Sequence, residues 1–280
     1  MRRNTTTTTR ARVQNLRNRA NYFILGDPMT TLLMKKLVAK YLVAAMISWV
    51  PFSNQIQRAD DGTWLHEKNG MYLKEDEADA RARYESIADD IVEIAFDDTL
   101  KPLFTGDDGR LKTALALTAV PSLEGGFHKW VDDGTCNTAK FQLHLGHVEC
   151  DGGHAWSIWQ LHMYNYVIKD GELTQAQYLQ NSLKPEDRDW MRAHQGEIIT
   201  PQQIVADRKL AVKIAYYLMY YSLHNFHSLC AYSGERCDGS HPLADHRLSR
   251  GIDYLRAHPF VVPPPEQLAQ RDLADRSYAE

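Results

Sequence analysis

The chain has 280 residues, 44% of them hydrophobic and 24% charged, enough apolar content to bury a core and too much for a disordered polymer. A net charge of −4 argues against a general nucleic-acid binder, which carries a surplus of Lys and Arg. The length suits one main domain with extensions.

Residues 1–26 hold six arginines (Arg2, Arg3, Arg10, Arg12, Arg17, Arg19), no acid, and five consecutive threonines from Thr5, the composition of a disordered basic tail. The segment from Met34, MKKLVAKYLVAAMISWVPF, contains an uninterrupted apolar run, Tyr41 to Phe52, of 12 residues. Spanning a bilayer takes about 20 residues, so this run is too short to cross one. With Lys35 and Lys36 ahead of it, the run has the length of a secretory signal's apolar region, although no small-residue cleavage site follows. A core or amphipathic helix is the other reading. Residues 1–55 are therefore expected as a basic tail and a short apolar segment, signal-like or amphipathic.

Residues 56–105 are expected as a separate acidic helical region, since positions 60–110 hold fifteen Asp and Glu against six Lys and Arg. Within it Tyr84, Ile87, Ala88, Ile91 and Ala95 recur at helical spacing, which predicts an amphipathic helix ending before Pro102. Leu111, Leu115, Leu117 and Val120 predict a second helix, buried on most sides, whose last turn is disturbed by Pro121 because proline has no N–H to give. Thr200, Pro201 and Gln203 form a capping-box start, and the helix expected from there carries Leu210, Ile214, Tyr217, Leu218 and Tyr221 on one face. No convincing period-2 runs occur, so the fold class is expected to be mainly α. The compact part ends at residue 262, where three prolines open a Pro-rich tail, 263–280.

The four cysteines form two close pairs, Cys136 with Cys150 and Cys230 with Cys237, separated by 14 and 7 positions. Such spacing suits local disulfides in an oxidising, extracytoplasmic compartment. A zinc hydrolase is a rival reading, with His144, His147 and Cys150 of HLGHVEC as ligands.

Glu124 in LEGGFHKW stands where the buried helix should stop. A carboxylate near a helix's negative pole and in poor solvent is pushed towards its protonated form, as a general acid requires. Gly125 and Gly126 let the chain turn beside it. Farther on, DGGHAWSIWQLH sets Trp156, Trp159 and Gln160 on an expected turn plus short helix, where aromatic faces stack on sugar rings and an amide bridges polar substituents. LCAYSGERC presents Tyr232 on a loop closed by the second cysteine pair.

In order and spacing these segments resemble the soluble-type lytic transglycosylases, glycoside hydrolases with a goose-lysozyme-like fold. Members typically show an acid helix ending in Glu-Ser and a Gly-Phe-like step, then a Gly-Leu-Met-Gln-like segment, then Ala-Tyr-Asn. The counterparts here are Glu124-Gly125-Gly126-Phe127, Ser157-Ile158-Trp159-Gln160 and Ala231-Tyr232-Ser233, and the resemblance covers about residues 108–260. Gly125 departs from the serine that usually follows the acid, Ser157 from the first glycine of the second motif, and Ser233 from the asparagine of the third.

The resemblance implies a lysozyme-like catalytic domain over residues 106–262, acting on peptidoglycan without metal or cofactor. In it Glu124 would protonate the glycosidic oxygen between N-acetylmuramic acid and N-acetylglucosamine, then take the proton of the C6 hydroxyl to give a 1,6-anhydro product. Gln160 and Tyr232 would hold the acetamido group and position the acid, with Phe127, Trp156, Ser157 and Trp159 along the saccharide. A hydrolytic lysozyme remains open if Asp132 or Asp133 serves as a second carboxylate at roughly 6.5–9.5 Å from the acid. So does a non-catalytic glycan-binding or virion protein, with residues 1–105 docking it to a membrane or a larger assembly such as a phage particle.

Overall fold

The computed structural model describes residues 28–49, 56–68, 71–145, 150–234, 236–238 and 243–262. The basic tail, the Pro-rich tail and His147 lie outside the described residues, as does the side chain of His144. Helices dominate, as expected. Helix α1 is Pro28–Trp49, α2 Glu77–Ala95, α3 Gly109–Leu123, α4 Lys129–Asp132, α5 Ala139–Leu145, α6 Ala176–Gln180, α7 Pro185–Ala193, α8 Pro201–Ala206, α9 Arg208–Phe226 and α10 Leu243–Ala257.

Three small antiparallel sheets stand among the described residues, where no convincing period-2 runs had been seen. Strands β1 (Ile56–Arg58), β2 (Trp64–Lys68) and β3 (Met71–Glu75) form one. Strands β4 (Ala155–Trp156) and β5 (Leu161–His162) form a second, and β6 (Tyr166–Lys169) with β7 (Glu172–Gln175) a third. Strands of two to five residues are too short for an alternating pattern to stand out.

One apolar core joins these parts. The apolar run near Met34 is a core helix: Val38, Leu42, Ala45 and Met46 of α1 are buried against α2 and α3. No helix among the described residues is long and apolar enough to cross a membrane. Helix α2 buries Tyr84, Ile87, Ala88, Ile91 and Ala95, the predicted stripe, into the same core. Residues 56–105 therefore share the interior of the region that follows instead of standing apart. A single interior also leaves the buried faces of α1 and α2 unavailable for docking.

The capping box at Thr200 forms, with Gln203 N–H donating to Thr200 Oγ1 and Thr200 N–H to Gln203 Oε1. The helix it starts stops after six residues, because Asp207 is extended (φ −127°, ψ 92°) and caps a new helix by accepting from Leu210 N–H. The face that α9 buries is accordingly Ala211, Val212, Ala215, Tyr216 and Met219 with Ile214, while Tyr221 lies exposed.

A buried polar chain ties the first sheet to the helices. His66 on β2 meets Glu75 on β3 (Nε2 to Oε2, 2.8 Å) and His128 (Nδ1 to Nδ1, 3.3 Å). Arg83 of α2 grips the same carboxylate at 2.8 and 2.9 Å. Burial alone would raise the Glu75 carboxyl, but hydrogen bonds from His66 and Arg83, and then their charges, bring it down to about 2.

Because the folded carboxyl lies below its unfolded value, its stabilisation is complete above pH 4.5 and is lost as pH falls towards about 2. Urea midpoints measured through that window should fall steeply for the wild type and less steeply for Glu75→Gln. At neutral pH that variant removes the bidentate carboxylate from the Arg83 guanidinium, which keeps only Asp132 at 3.8 Å, and should lose about 1.5–3 kcal/mol.

Candidate functional site around Glu124

Helix α3 lacks one backbone hydrogen bond by necessity. Pro121 has no N–H to offer the carbonyl four residues back, Leu117 O. That buried carbonyl instead accepts from the indole of Trp159, Nε1 to O at 2.8 Å. The carbonyl of Trp159 in turn accepts from the Tyr232 hydroxyl at 2.6 Å. The acid helix, the Gln160 segment and the tyrosine loop are thus joined by two successive hydrogen bonds.

The turn after α3 is shaped by the close approach of the Gln160 segment. A Cβ at Gly125 would lie 2.9 Å from Val131 Cγ1 and 3.2 Å from the carbonyl oxygen of Ile158. A side chain there would force Val131 or the Ile158 backbone to shift, a steric reason for glycine at this position. Gly126 and Phe127 follow with left-handed backbone, φ 62° and 57°.

The Gln160 segment is a β-hairpin and not the expected turn plus helix. Ala155 pairs with His162 and Trp156 with Leu161, so Ser157–Gln160 is the four-residue tip. Ser157 and Gln160 are left-handed, φ 62° and 49°, conformations that close a tight loop and break a helix. The hairpin's base is fixed by Asn137 Nδ2 donating to Ala155 O at 2.9 Å and by the Cys136–Cys150 disulfide. Gln160 Nε2 donates to Ser157 O at 3.0 Å.

Tyr232 sits on the turn held by the Cys230–Cys237 disulfide. Ser222 of α9 organises that turn by accepting from the N–H groups of Ala231 (3.0 Å) and Tyr232 (3.3 Å). Burial pushes the Tyr232 hydroxyl well above its ordinary value; the negative charge of Glu124 adds to the shift and Arg247 opposes it. The hydroxyl stays protonated. It is engaged with Trp159 O, so Tyr232 positions the hairpin tip.

Glu124 caps the C-terminal end of α3, as its place in the sequence suggested, but its surroundings are charged instead of apolar. Its Oε1 accepts from Arg247 Nε at 2.5 Å, and both side chains keep 19% exposure. Three residues on, Arg250 donates to Ser122 Oγ (2.9 Å) and Ser122 O (3.3 Å). Gly251 lets α10 lie this close, since a Cβ there would come 3.1 Å from Leu115 O. Two arginines on one helix therefore clamp the negative end of α3.

Several sequence-derived candidates lie elsewhere. Phe127 (2% exposed) and Trp159 (1%) are core residues with no ring face for a sugar, and Ser157 is likewise buried. Trp156 is half-buried. Asp132 lies buried under a bidentate contact from Arg208, 2.9 Å to each oxygen, with Arg83 at 3.8 Å, so it is a fold-holding group and not a water-activating one. Asp133 accepts from Thr135 N–H in a local turn. Cys150, engaged in its disulfide, is unavailable as a zinc thiolate. A cavity of about 480 Å³, bordered by Lys35, Glu93, Asp97, Lys209 and Lys213, includes no residue of the Glu124 cluster.

Arg247 and Arg250 were missed by sequence reasoning. The available signal was the basic pair spaced to share a helix face, RLSRG, after the tyrosine loop. Comparison of the chain with protein-family models, curated proteins and solved structures finds no match.

Trp159→Phe keeps one aromatic ring and removes the N–H together with the five-membered ring that carries it. The Leu117 carbonyl is then left buried and unpaired, and chemical denaturation should show a loss of about 1–3 kcal/mol.

Proposed function

We propose that the chain is a lysozyme-like, peptidoglycan-cleaving lytic transglycosylase working at the cell envelope, with Glu124 as its acid and base. The observation that carries this reading is the convergence of three distant segments: Glu124 at the end of α3, Gln160 at the hairpin tip pinned to α3 through Trp159, and Tyr232 bonded to that same tip. Two disulfides are consistent with an oxidising, extracytoplasmic setting.

In this reading Glu124 gives its proton to the glycosidic oxygen as the bond to C1 breaks. The acetamido oxygen of the substrate stabilises the positive charge at C1. Glu124 then takes the proton of the C6 hydroxyl, whose oxygen closes the anhydro ring. Gln160 orients the acetamido group, and half-buried Trp156 borders the strand. The engagement of Asp132 with Arg208 and Arg83 favours this one-carboxylate scheme over the inverting hydrolysis considered above.

A second reading, glycan binding without turnover, draws support from the Glu124–Arg247 ion pair, which engages the proton donor. Digestion of purified peptidoglycan followed by mass analysis separates the two. The transglycosylase yields fragments lighter by one water than hydrolytic products, and Glu124→Gln lowers the rate by about 10²–10⁴-fold. Undiminished cleavage by that variant removes Glu124 from the chemistry, and intact strands with wild-type protein leave binding alone.

A further inference from the structure

The cavity of about 480 Å³ lies between the first half of α1, the C-terminal end of α2, strand β6 and the first two turns of α9. Its lining is of three kinds. Ile94, Phe96, Ile168 and Leu210, buried or half-buried, give it an apolar wall. Four carboxylates form the second kind, and each has a partner in the fold. Glu93 pairs with Lys209 at 2.5 Å and Asp98 with Arg110 at 3.5 Å. Asp97 closes a turn by accepting from Thr99 N–H and Oγ1 at 2.8 and 2.6 Å, and Asp207 caps α9 by accepting from Leu210 N–H at 3.1 Å. Both use Oδ1 alone, so among the described residues the second oxygen of each has no hydrogen-bond donor.

The third kind is three ammonium groups, of which the fold uses one. Lys35 on α1 and Lys213 on α9 are half-buried, and among the described residues neither forms an ion pair or a hydrogen bond. Asp97 and Lys213 feel each other's charge without touching. An ammonium drawn away from water is stabilised by an anion, and two of them bordering one cavity suit a carboxylate, which has an oxygen for each. A simple anion would nevertheless meet repulsion, because the carboxylates of the lining outnumber its lysines four to three. A ligand that brings a positive charge together with the negative one satisfies both sets of groups. The volume lies within the range of about 300–1,000 Å³ usual for small-molecule sites.

We propose that this cavity binds a dipeptide-sized zwitterion with an apolar side chain, its carboxylate held by Lys35 and Lys213, its ammonium by the open oxygens of Asp97 and Asp207, and its side chain laid on Phe96 and Leu210. The site is separate from Glu124 and does not depend on the role given to that residue.

The test titrates the full chain calorimetrically with alanyl-leucine, its N-acetyl form, its C-terminal amide and glycylglycine. Alanyl-leucine should bind saturably, one per chain, with a Kd on the order of 0.1–1 mM for a ligand of this size. Each blocked form should bind about tenfold or more weakly, the worth of one charge-assisted contact. Glycylglycine should also bind more weakly, since it covers little of the apolar wall. With Lys35→Gln and Lys213→Gln combined, alanyl-leucine and its amide should become equal while the N-acetyl form remains weaker. Absence of saturable binding overturns the proposal, and so does equal affinity for alanyl-leucine and either blocked form; these comparisons use the wild-type protein, so no variant's folding enters. A preference for the free carboxylate that survives loss of both lysines overturns the assignment of the site. None of these measurements reads cleavage, so failure of the proposed function shows separately, in the digestion of peptidoglycan.

Discussion

The arrangement around Glu124 depends on one hydrogen bond that a proline makes necessary. Pro121 leaves Leu117 O without its helical donor inside the core, where an unpaired carbonyl is costly. The Trp159 indole fills the vacancy from 42 positions along the chain. Because that donor is a large rigid ring, the bond fixes the orientation of the hairpin tip as well as its distance from α3. Tyr232 then bonds to the carbonyl of the same tryptophan, so the position of the third segment follows from the position of the second. Gly125 completes the contact by leaving room for the Ile158 backbone against the turn.

The remaining supports act on either side of that bond. The Cys136–Cys150 disulfide and the Asn137 contact hold the base of the hairpin, and left-handed residues at its tip are tolerated because both ends are pinned. On the far side of Glu124, the chain from His128 to Asp132 is anchored by buried polar contacts. His128 touches His66, and Asp132 is gripped by Arg208 from the start of α9. The turn that carries Gly125 and Gly126 is thus fixed at both ends, and the carboxylate's direction follows from backbone geometry.

What could be read in the sequence was local. The stripe of α2, the Thr200 capping box, both cysteine pairs and the helix end at Glu124 each involve residues within about two dozen positions, and periodicity or capping chemistry signals each one. The failures share a cause. Asp132 was offered as a second carboxylate because its partner Arg208 lies 76 positions away, and Glu124 was read as sitting in poor solvent because Arg247 lies 123 positions away. The run from Tyr41 to Phe52 carries the same apolar signal whether it meets a membrane or another helix; only the faces of α2 and α3 decide between them. The hairpin tip was misread as helical since nothing in Ser-Ile-Trp-Gln announces left-handed backbone at its ends.

The end of α3 also carries an electrostatic cost that the fold offsets. A carboxylate at a helix C-terminus adds charge to an already negative pole, an unfavourable placement worth about 0.3–1 kcal/mol at a surface. The Arg247 and Arg250 clamp offsets it, and Gly251 provides the close approach that the clamp needs.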